Sequence, residues 1–283
     1  MNLLERLTYH HGLLRLARLS HLHKLGRTAY WLYRRPPDGY LRLAFGNIET
    51  LFIVRTSNDL RLVERLVLNE KRSIEAILSL IKAGDVIYDV GSNCGIYAIP
   101  LAKAAGPKGT VVAFEPVSNN YSRLVSNIKA NGLSNVVAVR AALGDRPSAQ
   151  PIYTAGGEGI DTGASLAHHA GSKHELVEVF DGDSYRNRVG LPVPRIIKID
   201  VEGFEYNVIC GLRSTLRHPT CELLFCELHP HLLPPGVSVK GIMSGLADLG
   251  FARVSGELDC DDRPFRVSFR KAASPRVFAV TTQ

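Results

Sequence analysis

The sequence predicts a doubly wound α/β domain with a mostly parallel sheet, because short apolar runs alternate with helical stretches from Gly84 onward. Each run is rich in β-branched residues and too continuous for a half-exposed strand, which is typical of strands buried on both faces. The five runs are Val86–Val90, Val111–Phe114, Val136–Val139, Ile196–Ile199 and Leu223–Cys226. Helical stretches follow four of them, at about residues 95–105, 118–131, 204–216 and 239–249. Two later runs without a convincing helix between them predict an antiparallel pair at one edge, at residues 251–255 and 265–270.

The first part of the chain differs from this alternation. We predict a basic, helical N-terminal extension over residues 1–58 and the α/β domain over residues 59–283. Within the extension, residues 41–54 alternate loosely, as strands do, and the domain opens with a helix over 59–82. Residues 1–34 are predicted as a helix with four apolar residues near one face, namely Leu3, Leu7, Leu14 and Ala17.

Composition excludes several classes of protein. Residues 1–45 hold eight Lys or Arg and two acidic residues, which is +6 of the net charge of +7. The rest of the chain is nearly neutral, so we expect no nucleic-acid partner. The five cysteines form no C-x-x-C pair, and their odd number favours reduced thiols in a cytoplasmic protein. Apolar runs are too short to span a membrane, and the interrupted N-terminus does not resemble a secretory signal.

The segment Asp89–Gly95 follows the first buried run and predicts a ligand site. In open α/β sheets, ligands bind at the carboxyl ends of the strands, where the strand order reverses. Gly91 and Gly95 let the backbone approach a ligand and let the next helix pack closely. The G-x-x-x-G spacing differs from the G-x-G-x-x-G of dinucleotide sites, and Asp89 would repel a pyrophosphate. The acid favours the cationic methyl donor S-adenosylmethionine; a plain strand–turn–helix in which the glycines serve packing alone is the alternative.

The next two strand ends supply candidate groups for the nucleoside. Glu115 lies 20 residues beyond Gly95, where a carboxylate can accept hydrogen bonds from both ribose hydroxyls. Asn119 either assists it or caps the following helix. Small residues after the third run, including Ala142, would admit an adenine ring, and Asp145 is a candidate partner for the adenine amino group.

Taken together, these stretches resemble the FkbM family of methyltransferases over roughly residues 70–232. The matching segments are Asp89–Gly95, Phe114–Pro116, Lys198–Glu205 and Glu227–His229, of which Lys-Ile-Asp-Val-Glu-Gly-Phe-Glu is the most specific. The resemblance implies a class I methyltransferase with a seven-stranded Rossmann-like sheet and S-adenosylmethionine as cofactor. It also implies O-methylation of a sugar, a glycolipid or a secondary metabolite. By position, the implied cofactor residues are Asp89, Gly91, Asn93, Gly95, Glu115 and Pro116.

Four ionisable residues are predicted to converge at the ends of the fourth and fifth runs. Asp200 and Glu202 lie two apart, as do Glu227 and His229, so in an extended chain each pair points the same way. The two strands should be neighbours, which brings the four groups to one rim, with Asp200 also beside the cofactor. Convergent acids with a histidine indicate proton transfer. His229 is the candidate base because its unperturbed pKa lies near neutrality, with Asp200 or Glu202 orienting it or acting directly.

The predicted activity is therefore transfer of a methyl group to a hydroxyl of a small-molecule or glycan acceptor. A non-catalytic S-adenosylmethionine-binding partner or regulatory module is one alternative, since it would need no acid–histidine cluster. A dehydrogenase is another, disfavoured by the missing G-x-G. Asp200, Glu202, His229 and His231 are all metal-ligand types, but their spacing has no specific metal pattern, so we expect no metal.

Two segments outside the predicted core have several interpretations. The insertion at 146–195 contains a glycine-rich stretch, His168-His169 and a predicted strand at Leu176–Phe180. It is either a lid over donor and acceptor or a disordered surface loop. The basic N-terminal helix has four interpretations: it covers the acceptor site, it forms a homodimer, it contacts an anionic membrane surface, or it packs on the domain with a solvated basic face.

Overall fold

The computed structural model describes residues 30–154, 165–166, 173–255 and 264–272. Their strands are β1 (Tyr40–Phe45), β2 (Ile48–Ile53), β3 (Val86–Val90), β4 (Thr110–Phe114), β5 (Val136–Val139), β6 (Ala142–Gly144), β7 (Ser148–Thr154), β8 (Lys173–Asp181), β9 (Ile196–Ile199), β10 (Leu223–Leu228), β11 (Phe251–Ser255) and β12 (Phe265–Lys271). Their helices are α1 (Ser57–Leu78), α2 (Ala98–Ala105), α3 (Ser118–Ala130), α4 (Gly182–Val189), α5 (Glu205–Gly211), α6 (Arg213–Arg217) and α7 (Val239–Asp248), with a 3-10 turn at Pro230–Leu232.

The central sheet has seven strands in the order β11-β12-β10-β9-β3-β4-β5. Strands β5, β4, β3, β9 and β10 are parallel, whereas β12 is antiparallel to both β10 and β11. The predicted doubly wound, mostly parallel sheet with an antiparallel edge is therefore confirmed. Because successive strands extend outward on either side of β3 and β9, the strand order reverses between these two, which is where such sheets bind ligands.

Apolar clusters lie on both faces of the sheet, because side chains along each strand alternate between the faces. On β3, Tyr88 and Val90 join a cluster with residues of α5, α6 and α7, while Ile87 joins another with residues of α1 and α2. Each buried Val, Leu or Ile side chain stabilises the fold by about 1.5–3 kcal/mol. Burial on both faces accounts for the continuous apolar runs of the central strands.

A hairpin of β1 and β2 packs beside α1 and α3 and contributes Phe45 and Phe52 to the second cluster. Its edge is closed by side chains, since the backbone nitrogen of Ile53 donates to Asn127 at 2.9 Å. The strands predicted for residues 41–54 are thus confirmed. The helix predicted for 59–82 ends earlier, at Leu78, because the chain turns before it enters β3.

Strands β7 and β8 of the insertion form a second sheet with β6, which precedes the insertion, in the order β6-β8-β7, and α4 follows β8. The predicted strand at Leu176–Phe180 is confirmed and lies within β8. The glycine-rich stretch and His168-His169, on which the lid prediction depends, lie almost entirely outside the described residues, as do residues 1–29. Among the described helices, none is long and apolar enough to cross a membrane.

Candidate functional site

A cavity of about 110 Å³ lies at the carboxyl ends of β3, β4 and β9, where the strand order reverses. Six of the predicted cofactor residues line it, namely Gly91, Asn93, Glu115, Pro116, Ala142 and Asp200. The other four, Asp89, Gly95, Asn119 and Asp145, are not among its lining residues. The sequence therefore predicted the position of the cavity. Of the predicted residues, six form part of the cavity wall and four lie outside it.

The bend after β3 depends on glycine for close packing. Gly91 has a φ of 80°, and a Cβ there would lie 1.9 Å from the carbonyl oxygen of Asp200. A Cβ on Gly95 would lie 2.8 Å from Leu124 of α3. Asn93 also adopts a left-handed φ of 51°, a conformation that asparagine tolerates better than most residues. Gly91 thus packs closely and lines the cavity, whereas Gly95, with a φ of 91°, lies outside the cavity wall, and its predicted part in cofactor binding stays a prediction.

Glu115 is a buried carboxylate at the edge of the cavity. Its Oε2 accepts a hydrogen bond from the backbone nitrogen of Asn93 at 2.8 Å, and its Oε1 accepts one from Val117 at 2.9 Å. Burial raises the pKa of Glu115 to about 7, against the lowering effect of these two backbone hydrogen bonds. A side-chain hydrogen bond with Asn120 also lowers this pKa, so three of the roughly four acceptor positions of the carboxylate are taken and about one is left for a ribose hydroxyl.

The cavity wall beside Glu115 is apolar and suits an adenine ring. Phe114, Leu143, Ile152 and Leu166 line it together with the small residue Ala142. Asp145 lies apart from this wall, and its Oδ1 accepts a hydrogen bond from Asn207 at 3.1 Å. Asn119 is likewise outside the wall, whereas its neighbour Asn120, which sequence reasoning missed, is buried in it.

Asp89 is fully buried beneath the bend, and its nearest cationic group belongs to Lys198. The Nζ of Lys198 lies 3.2 Å from Asp89 Oδ1, without hydrogen-bond geometry, and neither Asp89 oxygen accepts a hydrogen bond from a described residue. Lys198 also donates to the carbonyl of Gly91 at 3.0 Å and lies 3.7 Å from Asp200. Burial lowers the pKa of Lys198, but the charges of Asp89 and Asp200 outweigh it and raise that pKa above its usual range.

Lys198 was missed as a site residue, although the sequence held a signal for it. A lysine inside the buried run Ile196–Ile199 needs a carboxylate partner, because an unpaired charge is costly to bury. The Nζ also lies 4.8 Å from the ring centroid of Tyr97, which lines the cavity. Lys198 therefore connects the bend after β3 to the groups at the end of β9.

Asp200, Glu202 and His229 form what we call the acid–histidine cluster. Their potential ligand atoms all lie within 4.8 Å of one another, and both carboxylates line the cavity. His229 is only 3% exposed, with Nδ1 2.7 Å from Glu205 Oε1 and Nε2 3.4 Å from Glu202 Oε2. Sequence reasoning missed Glu205, which is fully buried on α5.

The fourth predicted catalytic residue, Glu227, lies beside the cluster but has a different partner. Its Oε2 accepts a hydrogen bond from Arg266 at 2.8 Å, and these two residues are opposite each other in the β10–β12 register. Arg266 also donates to Glu70 of α1 at 2.6 Å, and Glu70 accepts from Tyr97 at 2.6 Å. Glu227 is thus part of an ionic chain that closes one side of the site.

The cluster converges for a reason other than the one the sequence indicated. Strand β9 ends at Ile199, and Glu202 has a left-handed φ of 49°, so Asp200 and Glu202 do not share an extended strand. Gly203 follows with a φ of 95°, and a Cβ there would lie 2.5 Å from Leu232. A tight turn, rather than strand periodicity, brings Glu202 to His229.

The electrostatics change the predicted role of His229. Burial lowers its pKa, but the hydrogen bond and charge of Glu205 and then the charge of Glu202 outweigh burial and raise the pKa to about 9. The unperturbed value near neutrality, on which its choice as base rested, does not hold. Burial raises the pKa of Glu202 to about 7, with His229 opposing and Asp200 adding to the shift. The carboxylates around Nε2 therefore favour a positive charge among them, either a proton or a metal ion.

Comparisons with known proteins find similarity to methyltransferases. The Methyltransferase FkbM domain model matches residues 89–252, which include the bend, Glu115 and the acid–histidine cluster. Hexuronic acid methyltransferase AglP of Haloferax volcanii is 30% identical over 210 residues, which cover 71% of this chain and 76% of that protein. Methyltransferase 1 of Beauveria bassiana is 27% identical over 144 residues, or 44% of this chain and 57% of that protein.

The solved structures that match the chain share little sequence with it. An rRNA methylase from Streptococcus thermophilus covers 71% of this chain and 95% of its own, with a TM-score of 0.45 and 11% identity. A SAM-dependent methyltransferase from Aquifex aeolicus covers 76% and 99%, with a TM-score of 0.42 and 15% identity. M. jannaschii TYW2, in complex with AdoMet, covers 82% and 87%, with a TM-score of 0.38 and 13% identity.

Proposed function

The chain belongs to the FkbM family of methyltransferases, and from this premise we propose that it methylates a hydroxyl oxygen of a sugar, glycolipid or secondary metabolite. Its cofactor is S-adenosylmethionine. The acid–histidine cluster beside the cavity is the observation that carries the proposal. A hydroxyl must lose a proton when it is methylated, and a cofactor-binding module without catalysis would need no such cluster.

The residues around the cavity fit S-adenosylmethionine. Glu115 has a buried carboxylate at the edge of the cavity, bonded to Asn93, Val117 and Asn120, and its remaining acceptor position suits a ribose hydroxyl. The apolar wall with Phe114 and Leu143 suits adenine, and Asp200 offers a carboxylate to the cationic end of the cofactor. When bound, the cofactor supplies a methyl group on a positively charged sulfur that is already a good leaving group.

The chain itself has two tasks in this reaction. It must hold the acceptor oxygen in line with the methyl carbon, and positioning contributes up to about 7–11 kcal/mol in favourable cases. It must also receive the hydroxyl proton, which is worth about 10²–10⁴-fold in rate. Asp200 and Glu202 are the groups we assign to the second task, with His229 orienting them and Glu227 beside them, because the raised pKa of His229 makes it a poor proton acceptor near neutral pH. The new O–C bond forms as the C–S bond breaks, and the released proton passes through the cluster to solvent.

A hexuronic acid is the first acceptor class to test, because the relative AglP is named for it. We also propose a cytoplasmic location. The four described cysteines, Cys94, Cys210, Cys221 and Cys226, are unpaired, which supports a reducing compartment. The basic N-terminal extension is also proposed to form a homodimer or to contact a membrane surface. Most of it, residues 1–29, lies outside the described structure.

Transfer of a labelled methyl group tests the proposal directly. The enzyme is incubated with methyl-labelled S-adenosylmethionine and hexuronic acid glycosides, and the products are identified by mass spectrometry before and after mild alkali. A methyl ether on a hydroxyl survives alkali, whereas a methyl ester on the carboxylate is lost. Loss of the label would contradict hydroxyl methylation. Cofactor binding without transfer to sugar, lipid-linked or polyketide acceptors would favour a non-catalytic binding module.

A further inference from the structure

We propose that the acid–histidine cluster is a binding site for a divalent cation such as Mn²⁺ or Mg²⁺. Its protein ligands are one carboxylate oxygen each from Asp200 and Glu202, and Nε2 of His229. The sequence had led us to expect no metal here, because the spacing of these residues matches no metal motif. The cation's part in the reaction rests on the proposed function, whereas the site itself rests on geometry.

The spacing of the three residues suits a hard cation. Divalent cations of this class bind oxygen at about 2.0–2.6 Å, so ligands on opposite sides of one lie about 4.0–5.2 Å apart. The three potential ligand atoms lie within 4.8 Å of one another, so a single ion can contact them all with small side-chain movements. Two carboxylates with one imidazole are a donor set that accepts Mn²⁺ or Mg²⁺.

The environment of His229 is the second, independent observation. Nδ1 lies 2.7 Å from Oε1 of Glu205, and that oxygen also accepts the backbone N–H of Gly203 at 2.9 Å. Glu205 is fully buried and therefore fixed. A proton on Nδ1 directs the lone pair of Nε2 towards the two carboxylates, and metal-binding histidines are typically held in this way by an outer carboxylate.

Two carboxylates and an imidazole nitrogen within 4.8 Å of one another are stabilised when a cation lies among them. A metal ion satisfies His229, which is 3% exposed, together with the partly exposed carboxylates of Asp200 and Glu202. These carboxylates line the cofactor cavity, so the remaining coordination positions of the ion open towards it. An open site of this kind can take the acceptor hydroxyl and a neighbouring oxygen of the same sugar, and it lowers the pKa of the bound hydroxyl.

Binding of Mn²⁺ to the full chain, without cofactor or acceptor, tests the site. Electron paramagnetic resonance of free Mn²⁺ should reveal one bound ion per chain. Asp200→Asn and His229→Gln should each weaken binding by at least about tenfold, and Glu205→Gln by about 10–100-fold, because outer carboxylates have effects of that size. Asp248→Asn, on the exposed face of α7, is the matched control and should bind as the wild type does.

Circular dichroism establishes that each variant is folded, with S-adenosylmethionine affinity as a second check for the His229 and Glu205 variants, and Glu202→Gln provides a third ligand variant if one fails to fold. Absence of bound Mn²⁺ at millimolar concentration, or equal binding in all variants, would overturn the metal site. Full methyl transfer by chelator-treated enzyme would overturn the cation's part in the reaction, since a proton on His229 would then balance the carboxylates. Because binding is measured without an acceptor, a failed transfer assay counts against the proposed function and leaves the metal site standing.

Discussion

The cofactor half of the site, at the ends of β3 and β4, is shaped mainly by backbone turns, whereas the acceptor half, at the ends of β9 and β10, is shaped by charged side chains. In the first half, Gly91 passes within van der Waals distance of β9, and Glu115 is held by two backbone N–H groups. In the second, His229 is held by Glu205 and Glu202. In the proposed function, binding of the nucleoside thus uses local geometry, and activation of the acceptor uses ion pairs between residues that are far apart in sequence.

The largest expected effect comes from the acceptor half. Glu202→Gln removes one carboxylate of the acid–histidine cluster, so kcat/KM for methyl transfer should fall by about 10²–10⁴-fold. Affinity for S-adenosylmethionine, measured by calorimetry, should stay near wild type. A matched loss of cofactor affinity would mean that the two halves are not separable.

Lys198 lies between the halves, and its removal should affect stability. Lys198→Met leaves Asp89 buried without a cation, and breaking a buried pair costs about 3–5 kcal/mol. Chemical denaturation measures this loss. The double variant Asp89→Asn, Lys198→Met should recover part of it, and additive losses in the double variant would refute the pairing.

Gly91→Ala tests the close approach of the bend to β9. The added Cβ would meet the carbonyl of Asp200, and overpacking of this kind costs about 1–3 kcal/mol of unfolding free energy beyond backbone strain. Gly84→Ala is the control, because Gly84 has a similar φ of 87° but no atom within 4 Å of an added Cβ. Equal losses in both variants would show that φ alone requires glycine at Gly91.

Glu115→Gln should weaken the cofactor half alone. A hydrogen bond to a charged group is worth about 1.5–3 kcal/mol, so S-adenosylmethionine affinity should fall by about 10–100-fold in calorimetry. Asp145→Asn is the control, since Asp145 bonds to Asn207 outside the cavity. This variant should bind S-adenosylmethionine with the affinity of the wild type. The reverse result would place Asp145, as the sequence predicted, at the adenine.

The pH dependence of cofactor binding should show the smallest effect. Burial raises the pKa of Glu115 to about 7, and ribose hydroxyls donate to its ionised form. Binding therefore favours loss of the proton, and affinity should rise by about tenfold from pH 6 to pH 8 and then level off. The profile of Glu115→Gln, corrected for titration of the ligand itself, should be flat; a slope equal to that of the wild type would assign the dependence to another group.

The sequence by itself determined the features that depend on neighbouring residues. The length and composition of the apolar runs predicted the central strands and the antiparallel edge, because a strand that is buried on both faces has a continuous apolar sequence. The bend at Gly91 and the carboxylate of Glu115 were also predictable, because a strand end, a glycine turn and an acid lie close together in the chain.

Only the tertiary structure decided which charges meet. Lys198 pairs with Asp89 across adjacent strands, and Glu205 reaches His229 from α5, 24 residues away in sequence. Asp145 accepts a hydrogen bond from Asn207, 62 residues away in sequence, and its contact with adenine stays a prediction. A charged group acquires its role from partners within a few ångströms, and those distances follow from strand order and helix packing rather than from spacing along the chain.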